Sequence, residues 1–185
     1  MRIVEEAFGG AVKLLEPVVH GDPRGCFFES FRADRFAMLG MPGPWRQDNH
    51  SVSARGVLRG IHFQWDEPQG KLVRVGRGRA LDVVVDLRAA SPTFGRWRAF
   101  ELDAIKHHQV WLPAGFGHGF LSLEDDTQLL YKCTADYNPD GEGNIHPLDP
   151  DLGIEWGIEP EAIQLSARDS AAPSFSAYSA APAFR

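Results

Sequence analysis

The feature that most constrains this chain is the rhythm of its turn signals. From Gln47 to Gly95, breakers at Ala54-Arg-Gly56, Asp66-Glu-Pro68, Gly76-Arg-Gly78 and Ser91-Pro-Thr-Phe-Gly95 interrupt runs rich in Val, Phe and other strand formers. Turns about every eight to twelve residues leave room for strands but not for helices of ordinary length, so the pattern predicts an antiparallel sandwich or barrel. Asp82-Val-Val-Val-Asp-Leu-Arg88 alternates as a strand does, with Val83, Val85 and Leu87 on one face and Asp82, Asp86 and Arg88 on the other. Upstream, Val12 to Pro17 leads to a turn at Gly21-Asp-Pro-Arg-Gly25, and Cys26 to Phe31 reads as an aromatic-rich strand. Arg32 to Leu39 is the one early stretch of helical composition, closed by Gly40 and Pro42. Beyond about residue 167 the sequence becomes rich in Ala, Ser and Pro, which predicts an irregular tail over the surface. With no internal repeat, residues 1–185 read as one domain.

Composition narrows the function classes. A domain of 185 residues buries roughly 70% of its unfolded surface, enough for a proper core. The net charge of −6 argues against a broad nucleic-acid face, though not against one small anion in a locally basic pocket. No apolar run approaches the ~18 residues of a membrane helix. The start, MRIVEEAFGG, lacks the apolar core of a secretory signal. Two cysteines, Cys26 and Cys133, make no disulfide framework and suit reduced thiols in a cytoplasm.

The spacing around His62 carries the chemistry. Gly56, five residues, His62, one residue, Gln64, four residues, Gln69, six residues and Gly76 form one motif, and Pro113-Ala-Gly-Phe-Gly-His118 forms another. The two resemble the paired motifs of the cupin superfamily, which implies an all-β double-stranded β-helix, or jelly roll, with a few short helices. Metal-binding cupins carry His-x-His, a Glu and a later His. Here Gln64 and Gln69 stand at two of those positions, and amides are weak ligands where imidazole and carboxylate are preferred, so a metal-free site is expected. A histidine more often has no task than a catalytic one, but the neighbours of His62 matter. Arg59 and His62 have opposite strand parity, and a bulge or bend at Gly60 would bring both to one pocket. Lys71 follows a turn and suits the start of the next strand. Three basic groups inside a barrel are costly to bury without an anionic or polar ligand.

Together with Asp22-Pro-Arg-Gly25, Phe28-Glu-Ser-Phe31, Gln47-Asp-Asn-His-Ser51, Gly56-Val-Leu-Arg-Gly-Ile-His-Phe-Gln64, Lys71-Leu-Val, Tyr131-Lys-Cys133 and Leu165-Ser-Ala-Arg-Asp169, these stretches resemble the dTDP-4-dehydrorhamnose 3,5-epimerases over nearly the whole chain. The resemblance implies proton abstraction beside the ketone of a nucleotide-linked 4-keto-6-deoxy sugar and reprotonation from the opposite face. It places the base at His62, an orienting carboxylate at Asp169, the proton donor at Tyr131 and enolate stabilisation at Lys71. It implies substrate contacts from Arg24, Glu29, Gln47, Asn49, Arg59, Lys71, His118, Glu142 and Arg168, and a homodimer in which the strand bearing Arg24 and Glu29 reaches the neighbouring site. One departure stands out: Arg168 occupies a position where the family usually has Lys. Tyr137 shares the parity of Tyr131 and receives no role. No GxGxxG or Walker motif is present, so no nucleotide cofactor is expected. Three other readings remain: an epimerase acting at C3 or C5 alone, a cupin that only binds the sugar nucleotide, and, disfavoured by Gln64 and Gln69, a metal-dependent oxygenase.

Overall fold

The computed structural model describes residues 1–185. Its strands follow the turn rhythm. Six of them, β1 (Arg2–Ala7), β2 (Val12–Glu16), β5 (Gln47–Ser53), β7 (Lys71–Arg77), β10 (Gln109–Leu112) and β12 (Thr127–Cys133), form one sheet in the order β1-β2-β10-β7-β12-β5. Five others, β6 (Leu58–Gln64), β8 (Arg79–Asp86), β9 (Trp97–Asp103), β11 (Phe116–Ser122) and β13 (Glu142–Asn144), form the facing sheet in the order β13-β6-β11-β8-β9. Every pairing between these strands is antiparallel, and consecutive strands repeatedly change sheet, as in a jelly roll. The remaining pair, β3 (Val19–Asp22) and β4 (Gly25–Phe28), forms a separate hairpin whose strands pair only with each other.

The interior is closed by side chains from both sheets. Val12, Val73, Val75, Val110, Leu112 and Leu129 from the larger sheet meet Ala80, Val84, Phe100, Leu102, Phe116 and Phe120 from the smaller one, all buried. Each such Val, Leu or Phe contributes about 1.5–3 kcal/mol by leaving water. The alternation predicted for Asp82–Leu87 is present, but both faces are buried: Val83, Val85 and Leu87 join a second cluster behind the smaller sheet, while Asp82 and Val84 face the interior. A third cluster, with Phe36, Met41, Leu72 and Trp111, packs the helix α1 (Ala33–Met38) onto the outside of the larger sheet.

Two expectations need correcting. The early strand ends at Phe28, and Glu29 turns away to pair with Arg32 and Arg35. The stretch expected to be an irregular tail instead holds two short helices, α2 (Ala167–Ser170) and α3 (Phe175–Ala180). Ser166 and Ser174 cap them, each hydroxyl accepting a backbone N–H three residues on. Tyr178 then packs its ring against Phe63 and donates its hydroxyl to Leu87 O at 2.7 Å. Short Ala- and Ser-rich helices lack the apolar periodicity that marks longer ones, so composition alone hides them.

The bend anticipated at Gly60 is a bulge. Opposite β11, His62 pairs with His118 but Arg59 pairs with Phe120, so β6 carries one residue more than its partner across this interval. The extra residue turns Arg59 and His62 to the same interior face. Gly60 has a φ of 133°, and a Cβ there would lie 2.9 Å from His118 O and closer still to Gly119 Cα. Gly60→Ala is therefore expected to destabilise the fold by about 3 kcal/mol or more, from backbone strain and overpacking together; denaturant unfolding of the variant measures it.

Candidate active site

The interior face that begins as an apolar core becomes polar along the same strands. On β12, Leu129 is followed inward by Tyr131 and Cys133; on β7, Val75 and Val73 are followed by Lys71, which pairs across with Cys133. From the opposite sheet come Arg59 and His62 on β6, Asp82 on β8 and His118 on β11. The barrel thus sets Tyr131 and Lys71 on one wall and His62 on the facing wall.

His62 is held from behind. Its Nε2 lies 2.6 Å from Oδ1 of Asp169, which is 3% exposed at the start of α2. Burial alone would raise the pKa of this carboxyl. Hydrogen bonding to and attraction by the His62 ring, with hydrogen bonds from the Ser166 hydroxyl and the Gly60 backbone N–H, outweigh burial and leave it below the ordinary range. Asp169 is then a carboxylate at neutral pH and only accepts, so His62 Nε2 carries the proton. The other ring nitrogen, Nδ1, makes no hydrogen bond within the chain and is the one free to take a proton. The Ser166 cap that starts α2 also fixes the backbone of Asp169, at 3.0 Å.

Burial sets the other two groups. It pushes the Tyr131 phenol up, so that it stays a protonated donor through neutral pH. It pulls the Lys71 ammonium down, a pull opposed by the carboxylates of Glu142 and Asp82. Burial likewise raises Cys133, which keeps that thiol neutral. Glu142 lies close enough to act electrostatically on both Lys71 and Tyr131, and Arg59 acts on Tyr131.

The other anticipated residues divide into two groups. Gln47 and Asn49 join the site: Gln47 Nε2 donates to Asn49 Oδ1 at 2.8 Å, and Asn49 reaches Cys133 Sγ at 3.5 Å. Arg59 donates to Ser53 Oγ at 3.2 Å. Glu142 forms an ion pair with Arg168 at 2.7 Å and accepts from Tyr137 Oη at 2.9 Å. Tyr137 lies past the end of β12, where strand parity no longer holds, and is half exposed beside these groups. Arg24 and Glu29 are not brought to the site. Arg24 sits in the turn of the outlying hairpin and pairs with Asp22. Sequence reasoning did not single out Asp82 for the site, although a carboxylate on the alternate face of a valine-rich strand was its signal.

The amide nitrogens at both metal-ligand positions are committed to backbone carbonyls. Gln64 Nε2 donates to Glu67 O and Asp136 O at 2.7 and 3.0 Å while its Oε1 accepts from Asn138 N at 3.0 Å. Gln69 Nε2 donates to Ala135 O and Asp136 O at 2.9 and 3.1 Å.

Comparison with known proteins gives the family of the chain. A family profile described as dTDP-4-dehydrorhamnose 3,5-epimerase matches residues 9–177. The dTDP-4-dehydrorhamnose 3,5-epimerase of Salmonella typhimurium is 48% identical over 164 residues, covering 88% of this chain and 89% of its own. A dTDP-4-dehydro-6-deoxyglucose 3-epimerase from Streptomyces is 49% identical over 160 residues, covering 85% and 81%. The crystal structure of the 3,5-epimerase of Legionella pneumophila in complex with dTDP-4-keto-L-rhamnose superposes with a TM-score of 0.87 at 46% identity, covering 90% of this chain and 89% of that one.

Proposed function

Because the chain belongs to the dTDP-4-dehydrorhamnose 3,5-epimerase family, we propose that it inverts both carbons flanking the ketone of dTDP-4-dehydro-6-deoxy-D-glucose to give dTDP-4-dehydro-β-L-rhamnose. The observation that carries the chemistry is the His62–Asp169 pair on one wall of the barrel facing Tyr131 and Lys71 on the other. His62 Nδ1 removes the proton beside the ketone, and the C–H electron pair passes into an enolate whose oxygen is met by the Lys71 ammonium. Asp169 stabilises the imidazolium that forms. Tyr131 returns a proton to the opposite face of the planar carbon, which inverts it. Arg59, Gln47, Asn49, His118, Glu142 and Arg168 contact the nucleotide sugar, the arginines suiting its diphosphate. Arg168 carries the charge of the usual Lys with a guanidinium fork, and its ion pair with Glu142 ties the start of α2 to β13.

No cofactor enters this scheme, and the engagement of Gln64 and Gln69 with backbone carbonyls supports a metal-independent site. The exposed hairpin supports a homodimer: Phe27 is 72% exposed, and Arg24 and Glu29 are remote from their own barrel's site, as expected if they serve the neighbour's.

Three measurements test this reading. NMR of the substrate with enzyme in D₂O shows exchange and inversion at both C3 and C5; exchange at C3 alone would assign the chain to the activity of its Streptomyces 3-epimerase relative. In the same assay Tyr131→Phe retains exchange but loses inversion, because His62 hands the proton back to the face it came from. His62→Asn loses both by about 10²–10⁴-fold. Exchange and inversion falling equally in Tyr131→Phe would remove Tyr131 as the donor. Second, activity survives exhaustive chelation; loss with EDTA and recovery with a divalent cation would overturn metal independence. Third, mixing inactive Arg24→Ala and His62→Asn chains restores activity to about a quarter of wild type, since half the dimers are mixed and each has one intact site. No recovery after subunit exchange would confine each site to one chain.

A further inference from the structure

The barrel contains a second carboxylate–imidazole pair beside the first. His118 Nε2 lies 2.7 Å from Oδ2 of Asp82, with His118 at 7% and Asp82 at 0% exposure. His118 pairs directly with His62 across the β11–β6 ladder, so the two imidazoles are neighbours with separate carboxylates. Asp82 Oδ1 is buried without a hydrogen-bond partner. An ionised carboxylate in that condition is expensive, and apolar side chains of similar volume are often tolerated better at such places. Such a carboxylate calls for a cation to balance it, and the Lys71 ammonium, which its strand turns into the same interior, feels its charge.

We propose that Asp82 is a positioning residue of the reaction: it holds the His118 ring by its Nε2–H and presents a fixed negative charge to the Lys71 ammonium while the enolate forms. The inference rests on the epimerase reading above. The groups around Lys71 single Asp82 out. Cys133 on β12 is a thiol kept neutral by burial. Glu142 on β13 is already matched by Arg168 and Tyr137. Tyr131 on β12 is a protonated phenol, Gln47 and Asn49 on β5 are neutral amides, and β10 turns only Val110 and Leu112 to the interior. Of the two carboxylates that act on Lys71, Glu142 and Asp82, only Asp82 is not matched by an arginine. Because a carboxylate only accepts, His118 must carry its proton on Nε2, which leaves Nδ1 without a hydrogen bond in the chain. No proton leaves Asp82 in the cycle: the sugar carbon gives its proton to His62, and the new charge on the ketone oxygen meets Lys71.

The test is Asp82→Asn in the full-length protein. It keeps the shape and removes the charge. We expect KM within about threefold of wild type, kcat lower by about 10–100-fold, and the alkaline limb of the kcat profile moved to lower pH, since Lys71 loses the charge that keeps it an ammonium. An unchanged kcat and limb in folded Asp82→Asn, or a loss that follows only the fraction unfolded, would overturn the proposal. Should Asp82→Asn not fold, ¹⁵N NMR of the wild-type histidine rings decides. The proposal requires His118 protonated on Nε2 at neutral pH, and a proton on Nδ1 with bare Nε2 sinks it. A wild-type protein with no solvent exchange into the sugar would instead show that the epimerase reading had failed, whatever the ring tautomer.

Discussion

The contact between His62 Nε2 and Asp169 Oδ1 joins residues 107 positions apart, and much of the structure serves to make it. On one side, the bulge at Gly60 turns His62 inward; on the other, Ser166 starts the short helix that presents Asp169. Neither partner belongs to a long regular element that could fix it alone. The C-terminal segment earns its order by packing on the back of the smaller sheet, where Tyr178, Phe175 and Phe184 close over Phe63, Leu87 and Val85. Core packing behind the sheet and catalytic geometry in front of it are thus two faces of the same strands.

The division of the barrel into an apolar stretch and a polar stretch explains how basic groups can sit inside it. Valines and phenylalanines exclude water from one part of the interior, and that exclusion strengthens electrostatic effects in the rest. The burial that pulls Lys71 down also sharpens what its charge does to an oxyanion, as long as nearby carboxylates hold the proton on. Tyr131 illustrates the complementary case, since burial preserves a phenol as a donor without any partner.

Much of this was legible in the sequence. The turn rhythm fixed an antiparallel fold, the opposite parity of Arg59 and His62 required the irregularity that Gly60 provides, and the alternation of Asp82–Leu87 is present residue for residue. What could not be read locally were contacts set by long-range packing. Asp169 reached His62 only through the family resemblance, because no spacing rule joins residues so far apart. The helices after residue 166 lay hidden in short Ala- and Ser-rich stretches. Tyr137 escaped its predicted parity because β12 ends before it. Arg24, which the resemblance implied as a binding residue, stands in the hairpin outside its own barrel, a placement that no local pattern in the sequence could show.

The engagement of Gln64 and Gln69 has a consequence for what else these two positions could hold. Their amide groups bind the carbonyls of Glu67, Ala135 and Asp136 and so stitch the turn after β6 to the loop after β12. Histidine and glutamate at these two places would present metal ligands but could not donate to those carbonyls in the same way. The loop that leads to Tyr137 and Glu142 would lose its moorings before any ion arrived to repay the loss. Placing metal ligands at these two positions is thus not a change of side chains alone, because the same amides tether the loop that carries Tyr137 toward Glu142.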